Sequence, residues 1–133
     1  LINYRCGTGH SVSFVGNVHE GPHALNGRNT TLMRPGMIVT DEPGVYETDL
    51  VGIRIENELV CVHKADNQYG TFLGFEPIMF VPIATSPIVP GVLTKDERDW
   101  LNNYHRQVFE KLAPRLNDEE REWLAKKCAA IGC

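Results

Sequence analysis

Met37-Ile38-Val39-Thr40-Asp41-Glu42-Pro43-Gly44-Val45-Tyr46, followed by Gly52-Ile53-Arg54-Ile55-Glu56-Asn57, is the stretch on which the fold turns. Met37–Thr40 is a short apolar run directly after the turn signal Arg34-Pro35-Gly36, which predicts a strand. Pro43 fixes φ and Gly44 permits a sharp reversal, so the backbone beside Glu42 is held in one shape. From Ile53 to Val62 the residues at first alternate. Ile53 and Ile55 face one way and Arg54 and Glu56 the other, the period of a strand. Phe72–Ile83 predicts a further extended stretch. Pro77 and Pro82 mark its edge or its ends, because proline removes a ladder donor. Asn67-Gln68-Tyr69-Gly70 predicts the turn that joins the last two strands as a hairpin.

Outward from this strand region the chain changes character. His23–Thr31 is polar, holds Asn26-Gly27 and predicts a loop. Ser86–Gly91, with two prolines and a glycine, separates the strands from a helical end. Thr94-Lys95-Asp96-Glu97 is a capping-box sequence: the hydroxyl accepts from the amide three residues on, and the glutamate reaches back. Trp100, Leu101, Tyr104, Val108 and Leu112 then recur at helical spacing, and the first four are expected to pack inward. Pro114 stops this helix. Asn117-Asp118-Glu119-Glu120 starts a second by the same logic, with Trp123, Leu124, Cys128 and Ile131 on one face and Trp123 and Leu124 expected to pack inward. Two regions follow: residues 1–92, and a helical extension over 93–133.

The 133 residues suffice for one real core, and the apolar fraction of 42% is globular. No apolar run reaches the ~18 residues of a membrane span, and no leader pattern is visible. Net charge is -4 with the signs mixed, and no basic stripe points to a nucleic acid. Cys6, Cys61, Cys128 and Cys133 form no CxxC pair, so neither a cysteine metal cluster nor a disulfide framework is implied, and a reducing, cytoplasmic compartment is expected. The chain opens on Leu1 almost inside its first motif, Gly7-Thr8-Gly9-His10, which is expected of a piece cut from a longer protein.

One imidazole and two carboxylates stand out. Hard divalent cations take carboxylate oxygens, with imidazole as a borderline addition. Glu42 is mounted on a fixed turn, Glu56 shares a predicted strand face with Arg54, and His10 follows glycines that leave room for close approach. Each has a plainer reading. A Glu-Pro-Gly is commonly a surface turn, and Arg-Ile-Glu is commonly a solvated ion pair worth under about 1 kcal/mol. A lone histidine after glycines is commonly structural.

Together with Val18-His19-Glu20-Gly21-Pro22, Phe75-Glu76-Pro77 and Asp99-Trp100-Leu101-Asn102-Asn103-Tyr104-His105, the set resembles the C-terminal part of an Xaa-Pro aminopeptidase (aminopeptidase P), of the creatinase and methionine aminopeptidase superfamily. The resemblance spans nearly the whole chain. It implies an α+β fold: the C-terminal half of a pita-bread domain, a curved, mainly antiparallel sheet followed by helices. It implies His10, Glu42 and Glu56 as metal ligands, Glu42 also moving protons, and His19 binding substrate and stabilising an oxyanion. Arg54 and Tyr46 would support the ligands. The implied cofactor is two divalent ions, Mn2+ being the expected metal, in the complete enzyme, and the implied partner is a peptide with an Xaa-Pro N-terminus. A homodimer is the further expectation, with no nucleic acid and no membrane as partners. Alternatives are a non-catalytic binding module of the same fold and a prolidase-like dipeptidase.

The sequence departs from that pattern in three places. The family's aspartate pair lies upstream of the metal histidine, whereas Asp41, Asp49, Asp66, Asp96, Asp99 and Asp118 all lie downstream of His10. At most one weakly held ion is therefore expected on this chain alone. Cys6 stands where many members have a substrate-contacting histidine, and a thiol is the weaker hydrogen-bonding group. Ser11 and Ser13 replace common glycines.

Overall fold

The computed structural model describes residues 4–132, which fall into two compact units that part between Met79 and Phe80. In the first unit β1 (Ile38–Asp41), β4 (Asn57–Asn67) and β5 (Gly70–Pro77) form an antiparallel sheet in the order β1-β4-β5. β2 (Gly44–Glu47) and β3 (Val51–Arg54) form a separate antiparallel pair. Gly36 takes a positive φ of 90°, and the turn delivers the chain into β1, where Val39 is fully buried beside Cys61 of β4.

The continuous strand expected over Ile53–Val62 is in fact two. β3 ends at Arg54 and β4 begins at Asn57, each in its own sheet. The two ladders nevertheless keep one register. Asp41 pairs with Asn57, and pairing resumes at Gly44 with Arg54, leaving Glu42 and Pro43 opposite Ile55 and Glu56. One backbone bond crosses this gap, from the Ile55 amide to the Pro43 carbonyl at 3.2 Å. Proline has no N–H to return, so regular pairing fails at this point while the count of residues stays equal on both sides.

The β4–β5 hairpin turns at Asn67-Gln68-Tyr69-Gly70 as the sequence predicts, with Gly70 at φ 129° and the Asn67 side chain accepting from the Tyr69 amide. A bulge near Lys64 shifts the register between His63 and Ala65. β5 stops at Pro77, so the extended run expected to Ile83 is a strand only in its first part.

The second unit holds α1 (Lys95–Leu112) and α2 (Asp118–Lys127), and both predicted capping boxes are formed. A 3-10 turn at Ala113–Arg115 carries Pro114 between them. Tyr104, Val108 and Leu124 make the core, with Phe80, Ile83, Phe109, Leu112, Leu116 and Cys128 packed against it. Residues 80–83 thus belong with the helices, because α1 side chains complete their backbone. Tyr104 Oη donates to the Val81 carbonyl at 2.9 Å, and the Ile83 amide donates to His105 Nε2 at 3.1 Å. Asn102 in turn clasps both backbone groups of Ile131.

Trp100 and Trp123 correct the sequence reading: they are 60% and 57% exposed. The buried stripe of α1 is Leu101, Tyr104, His105 and Val108, and Trp100 lies at its rim, stacked on Tyr104 at 5.9 Å. Helical spacing marks a face but does not mark its edge. Leu124→Ala should therefore cost about 2–5 kcal/mol, whereas Trp100→Ala forfeits mainly a ring contact, about 1 kcal/mol. Denaturant midpoints of the two variants check the order.

His105 is fully buried, and burial pushes its imidazole below the ordinary 6.5. As pH falls below that value, the unfolded chain binds a proton that the folded chain refuses. The contribution of His105 is therefore complete above 6.5 and is lost as pH drops toward the lower folded value. The unfolding midpoint should fall between pH 7 and 5, and His105→Gln, which still offers an acceptor to Ile83, should flatten that slope.

Candidate metal centre

Gly9 opens the way to the site. A Cβ there would lie 1.8 Å from the Thr40 carbonyl oxygen, so only glycine lets this segment approach β1. The Thr40 amide donates to the His10 carbonyl at 2.9 Å, and the Glu42 amide donates to the Thr8 carbonyl at 2.7 Å. On its other side the segment pairs with residues 23–25: Ser11 N donates to His23 O at 3.2 Å and Leu25 N to Gly9 O at 3.0 Å.

His10 and Glu42 are brought together by this backbone. His10 Nε2 lies 3.0 Å from Glu42 Oε1. His10 Nδ1 lies 3.0 Å from the Ser11 carbonyl oxygen, which can only accept, so Nδ1 carries a hydrogen. In the neutral ring Nε2 then presents a lone pair to a carboxylate oxygen. Two such donors at this separation repel unless a proton or a cation lies between them. Ligands about 2.0–2.2 Å from one ion sit some 3 Å apart, so the pair fits a shared cation.

Glu42 is held from two further sides. Thr40 Oγ1 accepts from the His10 amide at 3.0 Å and donates to Glu42 Oε1 at 2.8 Å. Thr40 was not among the sequence candidates. Its one signal was its position two residues before Glu42, on the same strand face. Arg54 donates to Glu42 Oε2 at 2.7 Å and also to the Glu42 carbonyl. Arg54 Nε donates to Tyr46 Oη at 2.8 Å, and that bond is the main cause holding the guanidinium above its ordinary range. The Tyr46 ring lies over glycine: a Cβ at Gly44 or at Gly52 would meet it at 2.9 Å. The glycines of both motifs thus make space for the tyrosine that orients the arginine. Arg5, Cys6, Tyr46, Glu47 and Thr48 help to line a cleft of about 140 Å³ beside these residues.

The His19 ring lies against that of His10, with centroids 3.9 Å apart and the planes tilted by 33°. Glu56 does not join the group. It is exposed, makes no ion pair or hydrogen bond among the described residues, and lies opposite Glu42 in the gap between the ladders. The face expected to be shared by Arg54 and Glu56 ends where β3 ends. Facing carboxylates repel, and Glu42 turns to His10 and Arg54 instead. Among the described residues no three His, Cys, Asp or Glu side chains are grouped to hold an ion. Of the three ligands expected to converge, two do so.

Residues 2–63 match metallopeptidase family M24, and residues 71–131 match the C-terminal region of peptidase M24. The chain belongs to metallopeptidase family M24. It is 46% identical over 130 residues to Aminopeptidase P2 of Arabidopsis thaliana, covering 92% of this chain and 18% of that protein. It is 41% identical over 138 aligned positions to the "Probable Xaa-Pro aminopeptidase P" of Coprinopsis cinerea, covering 98% of this chain and 22% of that one. The X-prolyl aminopeptidase of Caenorhabditis elegans, described as a cytosolic enzyme with a di-nuclear active site, superposes with a TM-score of 0.81 at 39% identity. That match covers 94% of this chain and 21% of the worm protein. The fold is accordingly part of a pita-bread fold, and the chain spans about a fifth of the length of the relatives it matches. Among the described residues no helix is long and apolar enough to cross a membrane.

Gly9→Ala tests the approach that builds the centre. Forcing a methyl group against the Thr40 carbonyl should cost about 1–3 kcal/mol or more. The His10 ring signals should shift in the NMR spectrum of whatever fraction folds.

Proposed function

We propose that this chain is part of the catalytic domain of a metal-dependent aminopeptidase that removes the N-terminal residue from peptides with proline in second position. Family membership and the two relatives' names support the class. The observation that carries it to this chain is the His10–Glu42 pair, with donor atoms 3.0 Å apart and both residues mostly buried.

His10, Glu42 and Glu56 would be the chain's ligands for divalent cations, Mn2+ being the proposed metal. When bound, such ions activate water at neutral pH and polarise a scissile carbonyl. The chain's own residues divide the remaining work. Arg54 commits Glu42 Oε2, leaving Oε1 turned toward His10 and the cation the two would share. Tyr46 fixes Arg54, so the carboxylate keeps one orientation. His19, exposed and in ring contact with His10, offers a ring N–H beside the centre for a substrate carbonyl as negative charge develops on its oxygen. Binding of the proline ring is attributed to the family alone. A cytosolic location, as described for the worm enzyme, and pairing with a second copy belong to the same proposal.

One imidazole and two carboxylates are too few anionic ligands for two ions, so the chain alone should bind at most one Mn2+, weakly, and should not turn over. Residues 4–132 exchanged for the matching segment of the worm enzyme should instead restore Xaa-Pro cleavage. In that chimera Glu42→Gln should abolish turnover, and Arg54→Met should cut metal affinity about 10–100-fold. Elemental analysis and peptide assays read both. A folded chimera that binds peptide without cleaving it would favour a binding module. Cleavage of Xaa-Pro dipeptides in preference to longer peptides would favour a prolidase. Robust turnover by the isolated chain would sink the proposed division of ligands.

A further inference from the structure

His23 is 9% exposed, lies outside every motif singled out above, and is spent on a single hydrogen bond. Its Nε2 lies 2.8 Å from the Ile38 carbonyl oxygen, so Nε2 carries the hydrogen, and its buried Nδ1 has no partner among the described residues. The position of that carbonyl gives the bond its meaning. β1 bonds alternately to its two sides. Met37 O accepts from Cys61 of β4, whereas Thr40 N donates to His10 on the opposite side. Ile38, in phase with Thr40, turns its carbonyl to the His10 side. The pairing of that segment with β1 is recorded at Ser11 and Val39, and its continuation would set Val12 against Ile38. The imidazole of His23 takes the place of that next ladder partner.

The same residue also accepts from the Ser11 amide through its own carbonyl. His23 therefore fastens the 23–25 segment both to Ser11 and, by its side chain, to β1. The segment carrying His10 is thereby fixed between the two. This segment forms only isolated bridges, to Ala24 and to Val39, and no regular strand, so its placement depends on few bonds. A buried histidine satisfied at one nitrogen is costly to keep, and the fixed position of that carbonyl is what it secures.

We propose that His23 is a positioning residue for His10: its Nε2–H bond to the Ile38 carbonyl closes the outer side of the His10 segment and sets the direction in which the His10 ring faces Glu42. The inference rests on the reading of His10 as a cation ligand only for its metal consequence; the ring placement stands apart from it. His23 acts through backbone and touches no reacting atom.

The test uses the full chain with 15N-labelled histidine. Wild-type protein should show His23 as the Nε2–H tautomer. His23→Leu should move the His10 ring resonances and weaken Mn2+ binding, read by calorimetry, about 10–100-fold. His23→Gln, whose amide N–H can reach the same carbonyl, should restore most of both. Folded His23→Leu protein with unmoved His10 resonances would overturn the proposal, as would an Nδ1–H tautomer of His23 in the wild type. Should His23→Leu not fold, native His10 resonances in His23→Gln support the proposal and displaced ones overturn it. If wild-type protein takes up no Mn2+, the metal reading fails by itself, and the His10 resonances still decide the role of His23.

Discussion

A mostly buried carboxylate is tolerable only where each oxygen has a partner, and Glu42 sets that demand on this chain. Oε2 is met by Arg54 and Oε1 by Thr40, with His10 Nε2 3.0 Å from Oε1 across the place a proton or cation would take. Each partner then has a requirement of its own. His10 can arrive only if residue 9 has no side chain. Arg54 keeps its direction because Tyr46 lies flat over two glycines and turns its hydroxyl to the guanidinium. Gly9, Gly44 and Gly52 thus follow from one charge needing partners on several sides.

Local signals in the sequence were reliable where a structure is local. Both capping boxes, the Asn67–Gly70 turn and the stop at Pro114 depend on contacts within a few residues, and all are present. The family motifs likewise brought His10, Glu42, Arg54 and Tyr46 into one list, and these four are in mutual contact as a chain of bonds. Periodicity failed where a third element decides. It ran β3 and β4 together because the break between them comes from a proline on the opposing strand. It placed Trp100 inside because the width of a buried face depends on what packs there. Thr40 and His23 carried no composition signal at all: their roles come from backbone groups that only the folded chain brings within reach.

The helical unit shows a related economy. Asn102, Tyr104 and His105 follow one another closely along α1, and each turns a polar side-chain atom to non-helical backbone, at Ile131, Val81 and Ile83. Residues 78–89 belong to no strand, and buried backbone groups need partners wherever they lie. The helix supplies them from side chains. The Asp99–His105 motif is thus explained by packing and hydrogen bonding within its own unit.

The equal gap between the two ladders also determines where this chain can change length. The turn at residues 48–50 closes the far end of the β2–β3 pair, and a residue gained or lost there leaves every pair behind it in step. Removing one residue between Arg54 and Asn57 is different. Two positions would then face one, and β4 could keep its place only by forming a bulge or by slipping. A slip of one position turns every side chain of the strand to the opposite face, carrying Cys61 out of the core and Glu58 toward it. Relatives of this chain should vary freely in the length of the first turn and hold the second connection to two residues.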